Sequence, residues 1–209
     1  MHSRTFALLL ALAIPTFGAV VTADAQAAAP GPATSFIKAR YDAVLKLLGE
    51  KPSPEREKKI DAELGLLIDY DEMAKAVLGD EAGKRKPDEI ARFTAVLKEL
   101  IQINYKKKIA DLQAWSVDYK AEVAQGSDTK VQTEAKDQKD KKAPAVLIDY
   151  VVRKKGTAYI VVDIVPEDAS YVKTYNKDLM KIVKKDGWDA MMKKLDDKLA
   201  KEKAGLKKP

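Results

Sequence analysis

From Pro32 to Leu48 the apolar positions Phe36, Ile37, Tyr41, Val44, Leu45 and Leu48 recur at helical spacing, and Gly49 followed by Pro52 stops them. This stripe predicts a first helix. Ser53 ahead of Pro54, with Glu55 in the next turn, places an N-cap before a proline at the first helical position and opens a second helix towards Ile68. In Ile68-Asp69-Tyr70-Asp71-Glu72-Met73, Asp69 caps a third helix, Glu72 three residues on completes a capping box, and Ile68 staples to Met73. That helix ends at Leu78-Gly79. After a polar stretch from Asp80 to Lys86, Pro87-Asp88-Glu89 starts the longest helix, with Ile90, Phe93, Leu97, Leu100, Ile101, Tyr105 and Ile109 on one face.

At Trp115 the period changes to two. Trp115, Val117, Tyr119, Ala121 and Val123 alternate with Ser116, Asp118, Lys120 and Glu122, as in a half-buried strand. A turn at Gln125-Gly126-Ser127 leads to a weaker strand near Thr129 to Lys136, then a charged loop from Asp137 to Lys142. Ala145 to Val152 reads as a third strand. Arg153 to Gly156 reads as a hairpin turn, and Thr157 to Val165 as a fourth strand closed by Pro166. Short polar turns between four strands predict an antiparallel meander. The tail returns to helical spacing, with Tyr171, Val172, Tyr175, Leu179, Ile182 and Val183 on one stripe. Asp186-Gly187 breaks it before a second stripe of Trp188, Met191, Met192, Leu195 and Leu199. Helices, a meander and helices again predict an α+β domain, its four-stranded curved antiparallel sheet packed against N- and C-terminal helices.

The start of the chain changes what this domain is for. Met1-His2-Ser3-Arg4, an apolar run from Phe6 to Val21 and then Ala23-Asp24-Ala25 fit a cleaved signal peptide over residues 1–25. The run is broken by Pro15 and Gly18, and at about sixteen residues is shorter than the roughly twenty of a membrane span. The expected product is residues 26–209, a single soluble exported domain. It is large enough to bury roughly 70% of its unfolded surface without disulfides.

Composition then narrows the chemistry. The chain has no cysteine, and its one histidine, His2, lies in the signal segment. Ser-His, Cys-His and histidine-metal sites are therefore excluded from the product. Of 38 basic and 32 acidic residues the signal removes one each, so the net charge stays +6. Interspersed signs over a third of the residues suit a solvated surface better than a nucleic-acid-binding stripe, so no nucleic-acid partner is expected. The Lys-rich end (Lys193, Lys194, Lys198, Lys201, Lys203, Lys207, Lys208) reads as a solvated helix face fraying from about residue 200. Attraction to anionic lipid is the alternative. Asp69 and Glu72 read as capping residues rather than a catalytic acid pair. The spacing of Phe93, Tyr105, Tyr150, Tyr171, Tyr175, Trp188, Met191 and Met192 is that of ordinary core, although periodicity does not separate a filled core from a hollow one.

The segment Ile68-Asp69-Tyr70-Asp71-Glu72-Met73-Ala74-Lys75-Ala76-Val77-Leu78-Gly79 resembles the D-[FY]-x-x-M-[AS]-x-x-x-L-G signature of the MlaC (toluene-tolerance) family of periplasmic phospholipid-binding proteins. In the same order, the helix around Phe93, Leu97 and Tyr105, the meander, and Val161 to Tyr175 resemble the family's later part. Lys185-Asp186-Gly187-Trp188-Asp189 is similar to its closing K-x-G-[FW]-[DE] helix. Asp168 and Ala169 depart from the family's usual Gly and Val, and Asn176 from its usual Arg. The resemblance implies a monomeric, non-enzymatic periplasmic shuttle with a phospholipid as cargo and no other cofactor, its tails in an apolar pocket between sheet and helices. It further implies two partners, an inner-membrane ABC transporter complex with an MCE-domain protein and an outer-membrane lipoprotein complex, serving outer-membrane lipid asymmetry. Transient membrane contact is compatible with that role. Motif position and inward periodicity together nominate Met73, Val77, Phe93, Leu97, Ile101, Tyr105, Ile148, Tyr150, Val161, Asp163, Tyr171 and Tyr175 as pocket neighbours. The competing readings are a periplasmic interaction or chaperone module with a filled core, and a carboxylate-dependent hydrolase.

Overall fold

Proline sets the start of three helices. Pro32, Pro54 and Pro87 each occupy the first helical position, where a missing N–H costs nothing. In the computed structural model, which describes residues 30–206 with backbone alone for 106–112 and 206, these helices are α1 (Pro32–Leu48), α2 (Pro54–Leu67) and α4 (Pro87–Leu112). The signal segment, the Ile109 side chain and Lys207 and Lys208 lie outside what is described. Ser53 Oγ accepts from the Arg56 N–H at 3.1 Å, and Asp69 Oδ1 accepts from the Glu72 N–H at 3.0 Å to open α3 (Tyr70–Leu78). Only that half of the expected capping box forms. The Glu72 carboxylate turns outward to Lys75 and to Arg153 across the fold.

The polar stretch after α3 is a 3₁₀ turn, Gly79–Lys84, followed by a loop into α4. Its Glu81 is buried, held by Arg85 and Lys84, while the Arg85 guanidinium stacks 4.7 Å above the Trp188 ring. Gly79 adopts φ +56°, and any side chain there would press on Asn176, whose Nδ2 donates to the Val77 carbonyl at 2.7 Å. That bond ties α5 (Tyr171–Asp186) to α3. Gly187 then separates α5 from α6 (Trp188–Leu206). The last helix therefore continues past residue 200, where fraying was expected.

The meander is β1 (Trp115–Gln125), β2 (Asp128–Asp137), β3 (Val146–Lys155) and β4 (Ala158–Pro166), antiparallel in the order β1-β2-β3-β4. Two details differ from the sequence pattern. β3 continues through Arg153 to Lys155, because Arg153 is held by Asp128 at 2.8 Å, so the turn falls at Gly156-Thr157 rather than at Arg153 to Gly156. In β1 a bulge between Tyr119 and Glu122 shifts the register. The extra residue exchanges the two faces. Ala121 and Val123, expected inside, are exposed, and Glu122 turns inward.

There Glu122 Oε1 accepts from the Thr34 N–H at 2.6 Å, capping α1, whose own N-cap residue Gly31 offers no side chain. A Cβ on Gly31 would lie 2.4 Å from that carboxylate, so a side chain there would push Glu122 off its cap. A carboxylate at a helix N-terminus satisfies orphan N–H groups and complements the helix dipole.

Two apolar layers result, beside a small cluster of Val44 and Ile60 with Leu47, Leu48 and Tyr105. One is helical: Ala74, Val77 and Leu78 of α3, Phe93, Val96, Leu97 and Leu100 of α4, Leu179 of α5, and Trp188, Met191, Met192, Leu195 and Leu199 of α6. The other lies between the sheet and α1, where Ala33 and Ile37 meet Val131, Val152 and Val161, with Ile68, Tyr70 and Met73 at its side. A parallel bridge from Ile68 to Val161 fastens the α2–α3 junction to β4.

Candidate functional site

Residues directly opposite in an antiparallel ladder share a face. The register therefore sets Tyr119, Thr133, Ile148 and Pro166 in one row across the inner face of the sheet, and Glu122, Val131, Tyr150 and Ile164 in the next. β2 contributes only short side chains here, Val131, Thr133 and Ala135, and these are buried. Longer residues flank them, Tyr119 on β1 and Ile148 and Tyr150 on β3. The sheet thus forms a trough with a low floor. Thr133 adds no free hydroxyl, since its Oγ1 donates to the Ile148 carbonyl.

The residues on the walls of this trough keep accessible surface, on the inner strand β3 as well as on the edge strands β1 and β4. Tyr119, Ile148, Tyr150 and Ile164 are half-buried, as are Phe36 and Tyr41 of α1 and Ile101 and Tyr105 of α4 above them. Their hydroxyls nevertheless sit away from bulk water. Burial pushes the phenols of Tyr70 and Tyr150 up to about 12, with Asp61 adding to the first and Tyr41 and Tyr171 to the second. Burial also raises Tyr105 and Tyr119 well above the ordinary phenol range, helped by the nearness of Tyr150 to both. Tyr41 is raised by burial and by Asp42, and its hydroxyl lies 3.4 Å from the Trp115 carbonyl. Of eight tyrosines in the chain, five (Tyr41, Tyr70, Tyr105, Tyr119 and Tyr150), each on a different element, interact through this interior. They present aromatic surface and neutral hydroxyls, a lining suited to binding an apolar body with occasional polar contacts rather than to proton transfer near neutral pH.

Two clefts accompany it. One of about 450 Å³ is lined by Ile68, Asp69, Tyr70, Thr94, Lys98 and Ile160 among others, with the Lys98 ammonium 5.4 Å from the Tyr70 ring centre. Of the interior tyrosines, Tyr70 lines it. The other, about 570 Å³, is lined by Ser116, Lys136, Asp137, Gln138, Lys141, Ala143 and Ala145. Ser116 and Lys136 are paired on the face opposite to Val117 and Ala135, so this cleft belongs to the outer side of the sheet.

Of the twelve nominated residues, Met73, Ile101, Tyr105, Ile148, Tyr150 and Val161 come together around the trough. Val77, Phe93 and Leu97 lie instead in the helical layer, where the Phe93 and Trp188 rings are 6.1 Å apart. Asp163 caps α5: its Oδ1 accepts from the Val172 N–H at 3.0 Å and its Oδ2 accepts from the Ser170 hydroxyl. Tyr171 stands at the start of α5, 42% exposed, edge-on to Tyr175, which itself packs on the helical layer. The pattern did not single out Phe36, Tyr41, Tyr70 or Tyr119. Each is on an apolar stripe or alternating face, and what would have marked them is the convergence of tyrosines from five elements, which no local window contains. Among the described residues no group of three or more His, Cys, Asp or Glu is placed to hold a metal ion, and no helix is long and apolar enough to cross a membrane.

A family model described as MlaC protein matches residues 38–197. The solved structure of a phospholipid-binding protein from Ralstonia solanacearum in complex with a phospholipid shares the fold, with a TM-score of 0.72 at 19% identity over 82% of this chain and 99% of that one. No curated protein matches significantly.

Proposed function

The chain belongs to the MlaC family, and from that premise we propose that it binds one phospholipid, with acyl tails in the tyrosine-lined trough between sheet, α1 and α4 and the headgroup towards solvent. The observation that carries this reading is the half-buried state of Ile148 and Tyr150 on the inner strand β3 and of Ile101 and Tyr105 along α4, with the phenols of Tyr150 and Tyr105 nonetheless raised by burial. The phospholipid held by the Ralstonia solanacearum protein of the same fold supports it.

The role that follows is carriage in the periplasm, between an inner-membrane ABC transporter complex with its MCE-domain protein and an outer-membrane lipoprotein complex, to maintain outer-membrane lipid asymmetry. At about 0.8 kcal/mol per CH₂, exposing roughly thirty methylenes to water costs on the order of 20 kcal/mol, so lipid needs an apolar container to cross an aqueous gap. The neutral tyrosine lining provides one without an acid–base pair, and the reading is of a carrier rather than an enzyme. Native mass spectrometry of gently purified protein tests it. We expect phospholipid near one per chain. Protein that neither retains nor accepts lipid would sink the proposal and favour a filled-core interaction module.

A further inference from the structure

The two C-terminal helices carry comparable numbers of lysines and use them differently. Of the five lysines on α6, Lys193 pairs with Asp197, Lys194 with Asp186 and Lys203 with Glu99, Lys198 sits 5.9 Å from the Tyr175 ring centre, and Lys201 alone is exposed with neither an ion pair nor a ring contact among the described residues. On α5, Lys173, Lys177, Lys181, Lys184 and Lys185 are all exposed, and none makes an ion pair among the described residues. Spacings of four, four and three residues put Lys173, Lys177, Lys181 and Lys184 along one stripe. Lys185 flanks it, and Asp178 lies off to one side. Each arginine among the described residues (Arg40, Arg56, Arg85, Arg92 and Arg153), by contrast, holds a carboxylate.

A row of unneutralised ammonium groups on one helix calls for an anionic counterpart. Its chemistry favours a diffuse charged surface over a shaped protein epitope. Lysine is a flexible, strongly hydrated point charge, and protein interfaces are depleted in it while enriched in arginine. The only large aromatic exposed beside the row is Tyr171, an amphipathic ring of the kind that settles at a lipid headgroup layer. Val172, the next residue, packs against the sheet layer, so the same end of α5 that presents the Tyr171 ring to solvent borders the interior.

We infer that the lysine face of α5 docks the protein on an anionic phospholipid bilayer, with the Tyr171 end of the helix set against the headgroups. The use of such docking, to bring the trough to the membrane, rests on the lipid-carrier reading, whereas the docking itself is measured without reference to cargo. The experiment is co-sedimentation of the purified protein with vesicles of phosphatidylcholine alone and of phosphatidylcholine mixed with phosphatidylglycerol, at low and high salt. Binding is expected on the mixed vesicles at low salt only. The triple variant Lys173→Gln, Lys177→Gln, Lys181→Gln should weaken it about tenfold or more, since each lysine near an anionic surface contributes separately. A control with the same charge loss elsewhere, Lys38→Gln, Lys59→Gln, Lys120→Gln, should stay within about twofold.

No binding of the unmodified protein to anionic vesicles overturns the inference, also where the α5 variant instead loses affinity for an acidic protein. Equal loss in the two triple variants overturns it too, because net charge rather than this helix would then be responsible. If vesicle binding fails while native mass spectrometry still shows bound phospholipid, the docking face is wrong and the carrier reading stands.

Discussion

Phe93 and Tyr150 occupy comparable places, each an aromatic at the centre of an apolar layer, yet Phe93 has no exposed surface and Tyr150 keeps some. The difference lies in what covers them. Phe93 of α4 is met by α3 on one side and by Trp188 and Met191 of α6 on the other, so four helices close around one another. Tyr150 faces a single covering layer, in which α1 is fastened to β1 by its capped N-terminus and by Tyr41 near Trp115. A close-packed interior leaves few voids, so residues that keep accessible surface inside a fold mark where packing was not completed. On the proposed reading the helical layer is the scaffold and the sheet layer is the container.

Truncation should separate them most strongly. Phe93→Ala, in the closed layer, is expected to lower unfolding free energy by about 3–5 kcal/mol. Tyr150→Ala, whose ring is already partly uncovered, should cost only about 1–2 kcal/mol. Chemical denaturation gives the stabilities. Native mass spectrometry should show the reverse order for lipid, with Tyr150→Ala losing occupancy and the folded fraction of Phe93→Ala keeping it. Equal stability losses would break the distinction.

A smaller effect is expected at the cap that ties α1 to β1. Glu122→Ala removes the cap from α1 and should cost about 1 kcal/mol, a usual value for a lost N-cap. Hydrogen exchange should quicken in α1 while α4 and α6 stay protected. Loosening spread evenly over the protein would show that α1 is not held separately.

The smallest effect is one that acid removes. Burial alone would raise the Asp69 carboxyl, but hydrogen bonds from Lys155 and from the Glu72 N–H, with the charge of Lys155, outweigh it and leave the pKa below the ordinary value. A carboxylate so depressed contributes stability that is complete above its unfolded value, near about 4, and is lost as pH falls through the lower folded value. Asp69→Asn should therefore destabilise the protein at neutral pH, and the gap to the unmodified protein should shrink towards the acid end of a pH series of thermal melts. A gap independent of pH would assign Asp69 a role other than this ion pair and cap.

How far the sequence foretold this depended on how local the cause was. Pro32, Ser53-Pro54, Asp69 and Gly187 begin or end helices through bonds within a few residues, and each stood where its pattern placed it. The β1 bulge was hidden, because the inward turn of Glu122 answers to Thr34, 88 residues away. Phe93 and Tyr150 read alike, since period reports which way a residue faces and not whether anything closes over it. Asp163 followed the strand pattern inward, but its carboxylate meets the first N–H groups of α5 instead of the interior. The lysines of α5 and α6 are indistinguishable by composition, and only the position of Asp186, Asp197 and Glu99 separates the paired from the unpaired.

The most direct test of the container is to ask where the lipid's tail end lies. A phospholipid carrying a photoreactive group at the tip of one acyl chain, loaded into the protein and illuminated, can be mapped by peptide mass spectrometry. The account predicts label on β3 around Ile148 and Tyr150 and on α4 around Ile101 and Tyr105. Label concentrated on Met191 to Leu195 of α6, or confined to the exposed surface, would contradict it.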